Sequence, residues 1–187
     1  MPFNFQQSVD VLRQALIASL IEHAERIRSL NAIEPLWAIS FDLLPWESFI
    51  AISFRLRSES NYPESSNSAD WKHSQFISDY NSRTLAGARD FVHEEYHRCI
   101  DEQEDDDGRR SQEIAHLIFS AAARALLDEE VAEILRSYGI DAPVVGDTLP
   151  WYYFKFYVMD ADGVIKANYC DIVCANRVTR RLLGREE

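Results

Sequence analysis

The stretch from Trp151 to Val173, WYYFKFYVMDADGVIKANYCDIV, constrains the fold more than any other part of the chain. Tyr152, Phe154, Phe156 and Val158 occupy every second position. A strand sends alternate side chains to opposite faces, so one face of this run is wholly apolar and has to be buried. Asp160, Ala161, Asp162 and Gly163 then supply turn chemistry, because Asp hydrogen-bonds to nearby backbone and Gly takes angles that other residues avoid. Val164 to Cys170 reads as the returning strand. The spacing predicts a central hairpin whose even-numbered face lies under helices. Its other face, with Trp151, Tyr153, Lys155, Tyr157 and Met159, is too aromatic for a plain solvent surface, which makes Tyr153 and Tyr157 candidate partner-contact residues.

A second hairpin is written between Trp37 and Arg57. Ile39, Phe41 and Leu43 alternate with Ala38, Ser40 and Asp42, and Ile50, Ile52, Phe54 and Leu56 alternate with Ala51, Ser53, Arg55 and Arg57. One apolar and one polar face per strand predicts an antiparallel sheet covered on one side. Helical periodicity supplies the cover. Val9, Leu12, Leu16, Leu20, Ala24 and Ile27 share one face of a long helix over 8–30, which Asn31 and Pro35 close. Further helices are predicted over 84–100, from Ser111 as cap, from Asp128 as cap to Gly139, and from Asp171 as cap through Ile172, Ala175, Val178 and Leu182. The expected fold class is α+β: an antiparallel sheet of two hairpins packed against several amphipathic helices, in a single domain over 1–187. Flexible loops are expected near 58–70, a Ser- and Asn-rich stretch, and near 101–110, DEQEDDDGRR.

With 187 residues and 47% hydrophobic content the chain can close one core without staples. No apolar run reaches the roughly 20 residues of a membrane span, and the amino terminus lacks the marks of a signal peptide. Cys99, Cys170 and Cys174 show no pairing pattern and suit a reducing compartment, so the cytoplasm is the expected location. A formal charge of −12 repels phosphate backbones and anionic membranes and attracts basic proteins. Asp101, Glu102, Glu104, Asp105, Asp106 and Asp107 concentrate that charge in one block, and Trp71 is a candidate aromatic anchor for a partner steered to it.

The sharpest chemical match is HEEYH, His93 to His97, an HExxH string. Residues four apart lie on one side of a helix, so two imidazoles can hold zinc while Glu94 acts on bound water. Glu95 and Arg98 put charge beside this pair, and no spacing selects a third ligand among Glu113, His116, Glu129, Glu130 and Glu133. A zinc-dependent hydrolase using His93, Glu94 and His97 is therefore the alternative to a surface helix with no metal. Asp160, Asp162 and Gly163 lack the spacing and closing glutamate of a calcium loop and read as a turn. Cys170 and Cys174 have neither redox nor zinc-ribbon spacing and read as packing thiols.

The segments LWAISFDLLPWESFIAISFRL, ADWKHSQF and LLDEEVAEILRSYGI, in a small acidic α+β chain, resemble uncharacterised bacterial domain families grouped with immunity proteins of polymorphic toxin systems. The resemblance implies a non-enzymatic, stoichiometric inhibitor that binds a cognate toxin, often a basic nuclease, and blocks its active site. It carries no catalytic residues over to this chain and implies no cofactor.

Overall fold

The computed structural model describes residues 2–61, 68–101, 108–143, 154–158, 160 and 167–182. The chain is α+β. Its elements in order are α1 (Phe5–Glu22), α2 (Ala24–Ile33), β1 (Leu36–Leu44), β2 (Phe49–Leu56), β3 (His73–Ser78), α3 (Arg83–Asp101), α4 (Arg109–Leu126), α5 (Glu129–Ser137), β4 (Lys155–Tyr157) and α6 (Tyr169–Leu182). The strands form one sheet in the order β3-β2-β1-β4, and β1 pairs antiparallel with β2 and parallel with β4. The sheet is thus mixed rather than purely antiparallel. None of the described helices is long and apolar enough to cross a membrane.

The first hairpin forms where the alternation predicts it. Pro45–Glu47 makes a tight 3-10 turn, Ser48 takes a left-handed backbone (φ 54°), and the register pairs Phe41 with Ile52 and Ile39 with Phe54. Those apolar side chains meet Leu12, Leu16 and Leu20 of α1, Leu85 and Val92 of α3, and Ile118, Phe119 and Ala122 of α4 in one continuous core. Ala121, Ala122, Ala123 and Ala125 are fully buried, and their small side chains let α4 lie close against α1.

The predicted long helix is interrupted. Asn4 caps α1, its side chain accepting from the Gln7 amide, but the ladder breaks at His23, whose backbone leaves helical values (φ −102°, ψ 16°). A fresh helix, α2, then buries Ile27 and Leu30, while Ile21 at the end of α1 is exposed. Asn31, expected to end the helix, lies inside α2 and ties three elements together. Its Oδ1 accepts from the Leu36 amide, and its Nδ2 donates to the carbonyl of Gly139 beyond α5. Pro35 acts through its predecessor, since Glu34 is extended (φ −153°, ψ 133°).

Among the described residues of 151–173 the expected hairpin pairing is not seen. Phe154, Phe156 and Val158 do enter the core, as their alternation requires, but Lys155–Tyr157 pairs with β1 and not with a returning strand. Tyr169 and Cys170, placed in that returning strand by their sequence, begin α6 instead. Asn168 caps this helix, its Oδ1 accepting from the Cys170 amide, so Asp171 is not the cap. Tyr169, Cys170 and Val173 form the buried face, one and four residues apart, while Ile172 and Ala175 are exposed. Of the turn expected at Asp160–Gly163 and the strand expected after it, residues 161–166 lie outside the described residues. Similarly Ser111 falls within the first turn of α4, donating to the Gly108 carbonyl, and Gly108 occupies the cap position with a left-handed backbone (φ 69°).

Part of the loop expected near 58–70 is pinned. Arg57–Asn61 and Ser68–Asp70 form 3-10 turns, and the Glu59 carboxylate accepts from the amides of Leu56 and Lys72. Residues 62–67 and 102–107 lie outside the described residues.

Candidate functional site

Three places merit chemical scrutiny: the second face of the sheet, the histidine pair on α3, and the acidic surface. The second face carries Ala38, Ser40 and Asp42 from β1, Ala51, Ser53 and Arg55 from β2, and Tyr157 from β4. Alternation assigned it to solvent. Instead Ser40, Asp42, Ser53 and Arg55 are all buried, at 0%, 3%, 0% and 2% exposure. The turn at Ser68–Asp70, Trp71 and Tyr157 cover it, with the Trp71 and Tyr157 rings packed edge to face 5.6 Å apart and the Arg55 guanidinium 5.8 Å from the Trp71 ring centre.

At the centre of this layer the Asp42 carboxyl accepts from three hydroxyls. Ser40 Oγ and Ser68 Oγ donate to Oδ1 at 2.5 Å and 2.6 Å, and Ser53 Oγ donates to Oδ2 at 2.5 Å. Ser53 Oγ in turn accepts from the Gln75 amide of β3. Burial holds the Asp42 carboxyl above its ordinary value, and the three serine donors soften that shift without reversing it. Asp42 therefore ties β1, β2 and the segment that returns at Ser68 into one unit. Each of its hydroxyl partners is already engaged, so this cluster reads as architecture.

Two proposed partner residues are thereby relocated. Trp71 and Tyr157 are 4% and 6% exposed and face each other in the interior, because the polar strand face needed an aromatic lid. They are not surface anchors. Tyr153 lies outside the described residues.

The HEEYH string lies on α3, as its periodicity requires. His93 and His97 are half-buried with ring centres 4.4 Å apart, and His93 Nδ1 is 2.9 Å from the carbonyl oxygen of Pro45 in the β1–β2 turn. Glu94 is exposed, and Glu95 is held by Arg98 at 2.7 Å. Among the described residues no group of three or more His, Cys, Asp or Glu side chains is assembled around a metal position, so Glu113, His116, Glu129, Glu130 and Glu133 supply no third ligand there. His116 is instead hydrogen-bonded through Nδ1 to the hydroxyl of Tyr169, a phenol that burial, aided by Asp160, pushes up to about 12.

No family model, curated protein or solved structure matches this chain. Function has to be argued from its own surface.

That surface is acidic. Asp101 ends α3 and Arg109 begins α4, two helices in contact, and the acidic block lies between them in the sequence. The described arginines are largely committed to neighbours. Arg89 holds Asp79 and Asp90, Arg136 holds Glu129, and Arg13 lies 3.8 Å from Asp128 and Glu130. Glu47, Glu94, Glu133 and Asp141 are exposed and make no ion pair with a described residue. Asp90 and Glu94 also put negative charge on the outer side of α3 ahead of the block. The cysteines offer no competing chemistry: burial pushes the Cys170 thiol well up and the Cys174 thiol up, away from the reactive thiolate.

Proposed function

We propose that this protein is a non-enzymatic acidic binding protein of the immunity type, acting in the cytoplasm, that binds and neutralises a cognate basic toxin. One observation carries the reading: six carboxylates within the seven residues 101–107, at the α3–α4 junction of a chain with a formal charge of −12. A block of one sign in such a chain raises the local concentration of an oppositely charged protein and speeds encounter, an effect that salt screens within about 10 Å at 0.1 M. The asymmetry of the surface supports the reading too, because Arg13, Arg28, Arg89, Arg98, Arg110 and Arg136 are held in local ion pairs while exposed carboxylates such as Glu47 and Glu133 make no ion pair with a described residue. With Trp71 and Tyr157 in the interior, the carboxylates remain as the recognition feature.

The test pairs this protein with the product of the adjacent reading frame. Co-expression is expected to relieve growth arrest caused by that product. Replacing Asp101, Glu102, Glu104, Asp105, Asp106 and Asp107 together by Asn or Gln is expected to lower the association rate about 10- to 100-fold at low salt and to flatten its salt dependence. An association rate unchanged by neutralising the whole block removes it as the binding surface. Because the block is a run of like charge with no apolar side chain, the variant is expected to unfold within about 0.5 kcal/mol of the parent.

A further inference from the structure

The histidine pair of α3 has a geometry that a solvated helix face does not require. His93 Nδ1 sits 2.9 Å from the Pro45 carbonyl oxygen. A carbonyl only accepts, so Nδ1 donates, and in the neutral ring the proton is thereby fixed there and Nε2 keeps its lone pair. This is the arrangement by which a metal-binding histidine is oriented, one nitrogen donating to a backbone carbonyl and the other left to the ion. His97 makes no hydrogen bond with a described residue, and its ring touches those of His93 and Tyr96.

Ring spacing adds a second, independent argument. An ion about 2.1 Å from one nitrogen of each imidazole lies about 3.2 Å from each ring centre, so the two centres stand about 4.5 Å apart at a right angle and about 5.2 Å apart at a tetrahedral one. The observed separation is 4.4 Å. Both rings are half-buried, which leaves one side open for water to complete the coordination.

We propose that His93 and His97 form a two-histidine site for a divalent transition metal of the zinc, nickel and copper class. Imidazole nitrogens select that class over calcium and magnesium, which take oxygen ligands. Exposed Glu94 beside the pair and the acidic block at the end of the same helix raise the local cation concentration. The role is binding rather than hydrolysis, because two nitrogens and water hold an ion without the third protein ligand of a catalytic zinc site. Pro45 belongs to the turn joining β1 to β2, so the ion would also brace α3 against the hairpin through the His93–Pro45 bond. The inference stands independently of the acidic-surface reading.

Metal-free full-length protein carrying no histidine tag is titrated calorimetrically with zinc chloride and with nickel chloride. One ion per chain is expected, with affinity at least tenfold weaker in His93→Gln and in His97→Ala and retained in His116→Ala. Circular dichroism checks that each variant is folded. In the parent chain, nickel is expected to broaden the His93 and His97 ring resonances first among the five histidines, a readout that needs no variant. Binding that survives the double replacement of His93 and His97, broadening that begins at another histidine, or no uptake of either metal overturns the site.

Discussion

Replacing Asp42 by alanine is expected to destabilise the protein by roughly 3 kcal/mol, while Asp42→Asn costs about 1 kcal/mol. In the alanine variant the hydroxyls of Ser40, Ser53 and Ser68 lose their shared acceptor inside a layer from which water is excluded. Each stranded hydroxyl costs about 1–3 kcal/mol, offset in part because a carboxyl no longer has to be buried. Asparagine keeps one acceptor oxygen, and a serine turned about its Cα–Cβ bond can accept from the new amide. Urea unfolding of the three proteins at one pH measures the difference, and an alanine variant as stable as the parent would show that the cluster is not a tie.

The same carboxyl predicts a direction with pH. Burial raises its folded-state value above the ordinary 3.8, so the folded chain binds that proton more tightly than the unfolded chain. The associated stabilisation is fully present below 3.8 and is lost as pH rises through the raised value. The other acidic residues titrate in both proteins, so the informative quantity is the stability of the parent relative to Asp42→Asn. That difference is expected to fall as pH is raised from 3 through the folded value and then level off. A difference that grows with pH contradicts burial as the dominant cause.

The Asp42 cluster also marks where sequence reading stops. Strict alternation made the β1–β2 hairpin legible, together with which of its faces enters the main core. Alternation distinguishes two faces but does not say what lies over the polar one, because the cover comes from Ser68, Trp71 and Tyr157, remote in sequence. One signal was present. A solvent-facing strand surface usually carries several long charged side chains, whereas this one, Arg55 apart, reads Ala38, Ser40, Asp42, Ala51 and Ser53, small residues that leave room for a lid. Strand β4 failed for another reason. The apolar face of Phe154, Phe156 and Val158 was readable, but a parallel partner is reached only by a long crossover, and nothing local in the strand encodes it. In α6 the apolar residues fit two neighbouring helical stripes, and the cap at Asn168 decided between them. The histidine pair was legible as a spacing, and the Pro45 carbonyl that orients one ring was not, since it lies 48 residues away.

Trp71→Ala is expected to cost about 3–5 kcal/mol, the range for removing a buried aromatic side chain. The ring is 4% exposed and lies over the Arg55 guanidinium and against Tyr157, so truncation both opens a cavity and uncovers a charge at the interior surface of β2. Trp71→Phe separates these contributions. Phenylalanine keeps an aromatic face toward Arg55 and discards a buried indole N–H that has no hydrogen-bond partner among the described residues, so its cost is expected to stay near 1 kcal/mol. Tyr157→Ser should resemble the alanine variant, because Tyr157 supplies the other half of the lid. Thermal and urea unfolding give the stabilities, and association with a partner is measured at a temperature where every variant is folded. If Trp71 were a recognition anchor, affinity would fall with stability unchanged. Burial requires the reverse order: stability is lost first, and under the proposed acidic-surface binding a folded variant associates at the rate of the parent.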